Sequence, residues 1–167
     1  MNNQPLNFSF NDENLKKAQN IIMKYPEKKQ KSAILPLLDL AQRQMNGWLP
    51  RVSIEYVADL LGLPFIRAYE VATFYTMFNL KPVGQYHIQI CGTTPCWLRG
   101  SDMITNICKQ ELGINFGELT ADKKFSLTEV ECLGACVNAP VVQINDDFFE
   151  DLNAEKMQAL ITKLKHE

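Results

Sequence analysis

Two short cysteine pairs constrain the fold of this chain more than any other feature. The first is Cys91-Gly-Thr-Thr-Pro-Cys96 and the second is Cys132-Leu-Gly-Ala-Cys136. Four thiolates can act together only if the fold brings both loops to one place. The flanking sequence offers a way to do so. Residues 85–90 alternate as a strand that runs directly into Cys91. Phe125 and Leu127 alternate along a second strand toward Cys132, with Val130 out of phase and an irregular end expected there. If these strands are neighbours, both pairs emerge at the same edge of one sheet.

The remainder of this half supplies the layers around such a sheet. Ser101 is expected to cap a helix with Met103, Ile104, Ile107, Cys108 and Leu112 on one face, ended by Gly113. Residues 141–144 read as a third strand, Asp146-Asp147 as a turn, and Phe148-Phe149 as a short fourth strand. A last helix starts near Asn153 and carries Met157, Leu160, Ile161 and Leu164. The order β-α-β-β-β-α predicts an α+β arrangement.

The first half has a different period. Apolar residues recur at helical spacing in four segments. Asn11 caps the first, which Pro26 ends. The second starts near Ser32 and stops at Asn46-Gly47. Ser53 is expected to cap the third, ended by Gly62. The fourth opens at Pro64 and runs to about Met77. Its end concentrates aromatic residues, with Phe74, Tyr75 and Phe78 as core or as a face for another chain. The Pro and Gly of residues 79–84 interrupt the helical period. The expected organisation is therefore a helical domain at 1–80 and a cysteine-bearing domain at 81–167.

Charge and composition exclude several functions. The formal net charge of −2 gives no pull toward nucleic acid or anionic lipid. The two short helices around Leu61-Gly62-Leu63-Pro64 imitate a DNA-reading pair. However, only Arg67 opposes Glu55, Asp59 and Glu70 there, a balance that repels phosphate. No apolar run approaches the roughly 20 residues of a membrane span. The start, Met1-Asn2-Asn3-Gln4-Pro5, has neither the pattern of a secretory signal nor that of a transit peptide. A cytoplasmic protein with no direct membrane insertion is expected. In a reducing compartment its clustered cysteines are for metal or redox chemistry rather than disulfides.

The spacing then weighs the chemistries. Zinc knuckles usually place two residues between their cysteines, so gaps of four and three permit zinc without favouring it. A dithiol enzyme would need Cys-x-x-Cys, which is absent. A [2Fe–2S] cluster asks for four thiolates, two on each iron, and Cys91, Cys96, Cys132 and Cys136 supply that set. Gly92 and Gly134 are expected to offer N–H donors to sulfur, and Thr93 and Thr94 hydroxyl donors. Leu133, Val137 and Trp97 are expected to restrict water, and Pro95 and Pro140 to stiffen the loops. Cys108 reads as a buried free thiol; His87 and His166 read as structural or solvent-facing. No dinucleotide, P-loop, zincin or nucleophile-elbow motif is present, so no catalytic residue is assigned and a partner must hold the substrate.

These residues resemble a known family. The two pairs lie in Thr-Thr-Pro-Cys (93–96) and Glu-Cys-Leu-Gly-Ala-Cys-Val-Asn-Ala-Pro (131–140). Elsewhere stand Leu-Asp-Leu-Ala-Gln-Arg-Gln (38–44), Gly-Trp-Leu-Pro (47–50) and Glu-Val-Ala-Thr-Phe-Tyr (70–75). Together they are similar to the thioredoxin-like [2Fe–2S] subunits, the E chains, of respiratory complex I. The resemblance implies a helical bundle followed by a thioredoxin-like [2Fe–2S] ferredoxin domain. It implies one cluster on the four cysteines and a partner subunit that binds FMN and NADH, with further peripheral-arm subunits. It implies a redox subunit of an NADH:quinone oxidoreductase, not catalytic alone, on the cytoplasmic side of the inner membrane. Equivalent subunits of NAD-linked hydrogenases and formate dehydrogenases, and a free-standing ferredoxin-like carrier, are the alternatives.

Overall fold

The computed structural model describes residues 4–167; the first three residues, on which the reading of the chain's start partly rests, lie outside the described residues. The chain divides into two compact units between Pro82 and Val83.

The first unit is helical: α1 (Asp12–Met23), α2 (Ile34–Gln44), α3 (Arg51–Leu60) and α4 (Phe65–Phe74). Their apolar stripes converge on Leu37, Leu38, Ala41, Ile54, Val57 and Ala72, all buried. Side-chain amides fasten the irregular segments to α2. The Gln44 carbonyl accepts from the Asn11 N–H at 3.1 Å and from the Asn14 amide at 2.8 Å. Its own amide donates to the Ser9 carbonyl at 2.8 Å. Gln42 does the same at the other side, donating to the Met77 carbonyl at 3.0 Å and accepting from the Asn79 N–H at 2.7 Å. Each amide thus satisfies backbone groups that no helix or sheet could pair.

Two details differ from expectation. Ser53 does not cap α3. The cap position is Pro50, and Ser53 lies buried in the first turn with its hydroxyl donating back to the Pro50 carbonyl at 2.7 Å. The Arg51–Leu60 helix therefore begins three residues early, because proline's fixed φ already suits a helix entry. Helix α4 stops at Phe74 rather than near Met77. The aromatic end then splits: Phe78 is buried, while Phe74 is 76% exposed and Tyr75 40%.

The second unit is a four-stranded sheet in the order β2-β1-β3-β4. Its strands are β1 (Tyr86–Cys91), β2 (Phe125–Val130), β3 (Val142–Ile144) and β4 (Asp147–Phe149). Strands β1 and β2 are parallel, whereas β3 is antiparallel to β1 and β4 to β3. A parallel pair needs a crossover. Here it contains α5 (Thr94–Leu98) and α6 (Ser101–Leu112), and α7 (Ala154–His166) closes the chain. Ile88, Ile90 and Leu127 meet Ile104, Cys108, Met157 and Ile161 in one core. Burying each such side chain contributes about 1.5–3 kcal/mol. Cap geometry again corrects the reading at α6. Gly100, at φ +93°, holds the cap position and Ser101 is the first, buried, helical residue. The β3–β4 turn is Asn145-Asp146, one residue earlier than expected, with Asn145 at φ +55°.

His87 and Gly84 fix how the strands meet at the end of β1 remote from Cys91. The Ser126 hydroxyl lies 2.8 Å from His87 Nδ1 and accepts from the Gly84 N–H at 2.9 Å. A side chain on Gly84 would sit 2.5 Å from the Phe125 carbonyl carbon. Gly84→Ala is therefore expected to destabilise the fold by about 2–3 kcal/mol in denaturant unfolding, because backbone must move to admit it. Burial pushes the His87 imidazole down from 6.5 to about 4. The unfolded chain takes up this proton first, so stability is full above about pH 6.5 and falls as pH drops toward about 4. The loss, on the order of 3 kcal/mol, is expected to be absent in His87→Gln when stability is measured across that window.

Candidate metal centre

The sheet brings the cysteine loops together through strand register. Cys91 is the last residue of β1 and stands opposite Val130, the last residue of β2. Its N–H donates to the Val141 carbonyl at 3.2 Å, and the Gly92 N–H donates to the Val130 carbonyl at 3.0 Å. Hydrogen bonds on both sides thus hold the first loop where β1 ends. Alternation along the strand turns Ile88 and Ile90 into the main core and Cys91 to the opposite face. There Cys91 joins Cys96, Ala139 and Val141 in a small separate cluster, with Leu133 and Ala135 packed on it.

The loop after Cys91 becomes α5, an element that the sequence pattern does not reveal. Thr93 holds its cap position and Pro95 lies in its first turn, where a missing N–H costs nothing. Pro95 therefore serves to start a helix, and that helix buries Cys96. The signal is present in Thr-x-Pro, but one turn of helix leaves no hydrophobic period to read.

All five cysteines are free thiols. Burial draws Cys91 upward, but hydrogen bonds from the Thr93 hydroxyl and backbone, the Leu133 backbone and Cys96 outweigh it and leave the thiol below its ordinary value. The Thr93 oxygen lies 3.3 Å from Cys91 Sγ, which also approaches the Glu131 carbonyl at 3.5 Å. Burial, together with the hydrogen bond to Cys91 and the charges of Cys91 and Cys136, raises Cys96 to about 11.

Cys132 and Cys136 belong to the second loop and are exposed. Gly134 between them adopts φ +80°, a conformation that a side chain would strain. Cys136 opens a short 3-10 turn over Cys136–Asn138, ahead of a cis Ala139–Pro140 bond. Among the described residues, no group of three His, Cys, Asp or Glu side chains is placed to hold one metal ion. Two thiols on each of two loops could supply a binuclear cluster, in which each iron takes two thiolates. Cys108 stands apart, buried in the main core, and burial pushes its thiol up to about 12. His87, tied to Ser126, is likewise no part of the centre.

Several expected supporting roles fall to other residues. The Gly92 N–H is committed to the sheet and cannot reach sulfur. Trp97 does not shield the site: it is exposed, and its indole N–H donates to Asp102 at 2.9 Å. Val137 is 95% exposed. Of the three residues expected to exclude water, Leu133 alone packs on the cysteines.

Comparison with known proteins agrees with this architecture. The family described as thioredoxin-like [2Fe–2S] ferredoxin matches residues 18–165. The chain is 66% identical over 167 residues to the E chain of NADH-quinone oxidoreductase from Rickettsia bellii (strain RML369-C), covering 100% of both. It is 52% identical over 165 residues to the mitochondrial NADH dehydrogenase [ubiquinone] flavoprotein 2 of Dictyostelium discoideum, covering 99% of this chain and 67% of that one. Among solved structures, an NAD+-reducing [NiFe]-hydrogenase in the H2-reduced state is similar at a TM-score of 0.69 and 25% identity. The match covers 79% of this chain and 22% of the hydrogenase chain, so this chain spans about a fifth of that protein. A parallel β1–β2 pair with cysteines at its end, and a match over nearly the whole sequence, lead to one conclusion: the chain belongs to the thioredoxin-like [2Fe–2S] ferredoxin family.

Proposed function

We propose that this chain is an electron-transfer subunit of NADH–quinone oxidoreductase, carrying one [2Fe–2S] cluster on Cys91, Cys96, Cys132 and Cys136. The full-length likeness to the Rickettsia bellii protein carries the reading of the complex. The placement of two cysteine pairs on adjoining loops carries the reading of the site. When bound, the cluster supplies one-electron redox capacity. The protein's part is to hold the ligands and tune their surroundings. Strand register fixes Cys91, α5 positions Cys96, and Gly134 lets the second loop turn between its two cysteines. The Thr93 hydroxyl stabilises negative charge on Cys91 sulfur, which favours both ligation and the reduced state.

The partner in this reading binds FMN and NADH. NADH delivers two electrons as a hydride, and a flavin can release them singly to a one-electron carrier. The exposed side chains of Ile66, Tyr69, Phe74, Tyr75 and Met77 in the first unit suit association with other subunits. No helix among the described residues is long and apolar enough to cross a membrane. Attachment on the cytoplasmic side would therefore come through the peripheral-arm subunits of the complex.

Substitution of the ligands tests the site. Cys91→Ser, Cys96→Ser, Cys132→Ser and Cys136→Ser are each expected to lower bound iron and acid-labile sulfide at least severalfold and to perturb the visible spectrum. Cys108→Ser is expected to keep both. Zinc in place of iron and sulfide in the native chain would refute the assignment, and failure to co-purify with a flavoprotein would refute the place in the complex.

A further inference from the structure

The second cysteine loop alternates in exposure. Cys132 and Cys136 are exposed, whereas Leu133 and Ala135 between them pack on the small cluster that contains Cys91 and Cys96. Each residue of that buried pair is 1% exposed. The two pairs nonetheless adjoin: Cys91 Sγ lies 3.5 Å from the carbonyl of Glu131, the residue before Cys132. The exposed pair is also anchored at its downstream end. The Asn138 carbonyl accepts from the Asp151 N–H at 2.7 Å, and the Asn138 amide donates to the Glu150 carboxylate at 2.5 Å. The site is therefore one-sided. Two thiols are accessible, and apolar side chains from the same loop cover the other two.

We infer that Cys132 and Cys136 are the entry thiols of this site: they take a [2Fe–2S] cluster from a thiolate donor first, and Cys91 and Cys96 complete the set second. The inference rests on the four-cysteine assignment above. Transfer from a thiolate donor is ligand exchange at iron. In each exchange one bond forms from iron to a cysteine sulfur of this chain, and one breaks to a donor thiolate. The proton of the incoming thiol passes to the departing thiolate, and no electron moves. The incoming sulfur must therefore reach an iron that still carries its bulky donor ligands. Exposed thiols meet that condition as they stand. Cys91 and Cys96 meet it only after Leu133 and Ala135 withdraw, a local opening that costs free energy. The cover and the entry thiols belong to one short loop. Ligation at Cys132 and Cys136 thus reshapes the segment that covers the second pair.

The full-length chain, reduced and stripped of metal, is mixed without oxygen with a [2Fe–2S] cluster carried by radiolabelled glutathione. Cys91→Ala with Cys96→Ala is expected to retain labelled glutathione, iron and sulfide together after rapid gel filtration, because the entry pair has exchanged and no second pair follows. Cys132→Ala with Cys136→Ala is expected to capture the cluster at least about tenfold more slowly than that variant. Leu133→Ala alone, which uncovers the buried pair, is expected to speed loss of the last glutathione relative to the wild type. A measurement on the wild-type chain guards against misfolded variants. A brief pulse of maleimide, read by peptide mass spectrometry, is expected to label Cys132 and Cys136 at least about tenfold faster than Cys91 and Cys96. If Cys91 or Cys96 is labelled as fast as the exposed pair, or if the two double variants capture the cluster equally fast, the inference is overturned while the cysteine assignment stands. If the wild-type chain takes up no iron and sulfide, the assignment itself fails, and the inference with it.

Discussion

The parallel pairing of β1 with β2 is the interaction on which the rest of the second unit depends. Its register sets Cys91 opposite Val130, so two segments distant in sequence leave the sheet side by side. Slipping the register by one residue would turn Ile88 and Ile90 out of the core and Cys91 into it. The apolar residues that select the register thus also select the position of Cys91. The closing loop is costly to form in a parallel pair, and the core between the sheet, α6 and α7 compensates for it. Core stability and the positioning of the site are in this sense one property.

The two loops that leave this sheet are built differently. The first is held from three sides: by the Val141 carbonyl just before β3, by β2 through the Val130 carbonyl, and by α5, which carries Cys96. The second is a turn shaped by Gly134, with both of its cysteines exposed. One pair is preorganised and buried, and the other is accessible. This asymmetry suits assembly of a multi-atom group, because a fully enclosed set of four thiols would admit neither iron nor sulfide. It also divides the electrostatics. The buried pair feels desolvation and its own hydrogen bonds, while the exposed pair faces solvent and any neighbouring subunit.

Much of this architecture is legible in the sequence wherever a period or a spacing is long enough to read. The helices of the first unit, the alternation before Cys91 and the α6 and α7 stripes are all of that kind. Features decided by a single neighbour are not. Ser53 and Ser101 look like caps, yet Pro50 and Gly100 take those positions because their backbones enter a helix more readily. Helix α5 is too short to show a period. Trp97 and Val137 are apolar residues beside a candidate site, but nothing in a sequence tells whether such a side chain folds over the site or points away from it.

Gly92 illustrates how a correct residue can carry a wrong reason. A glycine beside a ligand cysteine is naturally read as a backbone donor to sulfur, since outer-shell hydrogen bonds tune such sites. Here the donor is spent on the strand, at the Val130 carbonyl. An N–H aimed at sulfur would ease reduction, whereas one held by the sheet fixes where the loop departs. A short sequence motif therefore does not determine its own role. That role depends on β2, a strand more than thirty residues away, and on the pairing that lays it beside the motif.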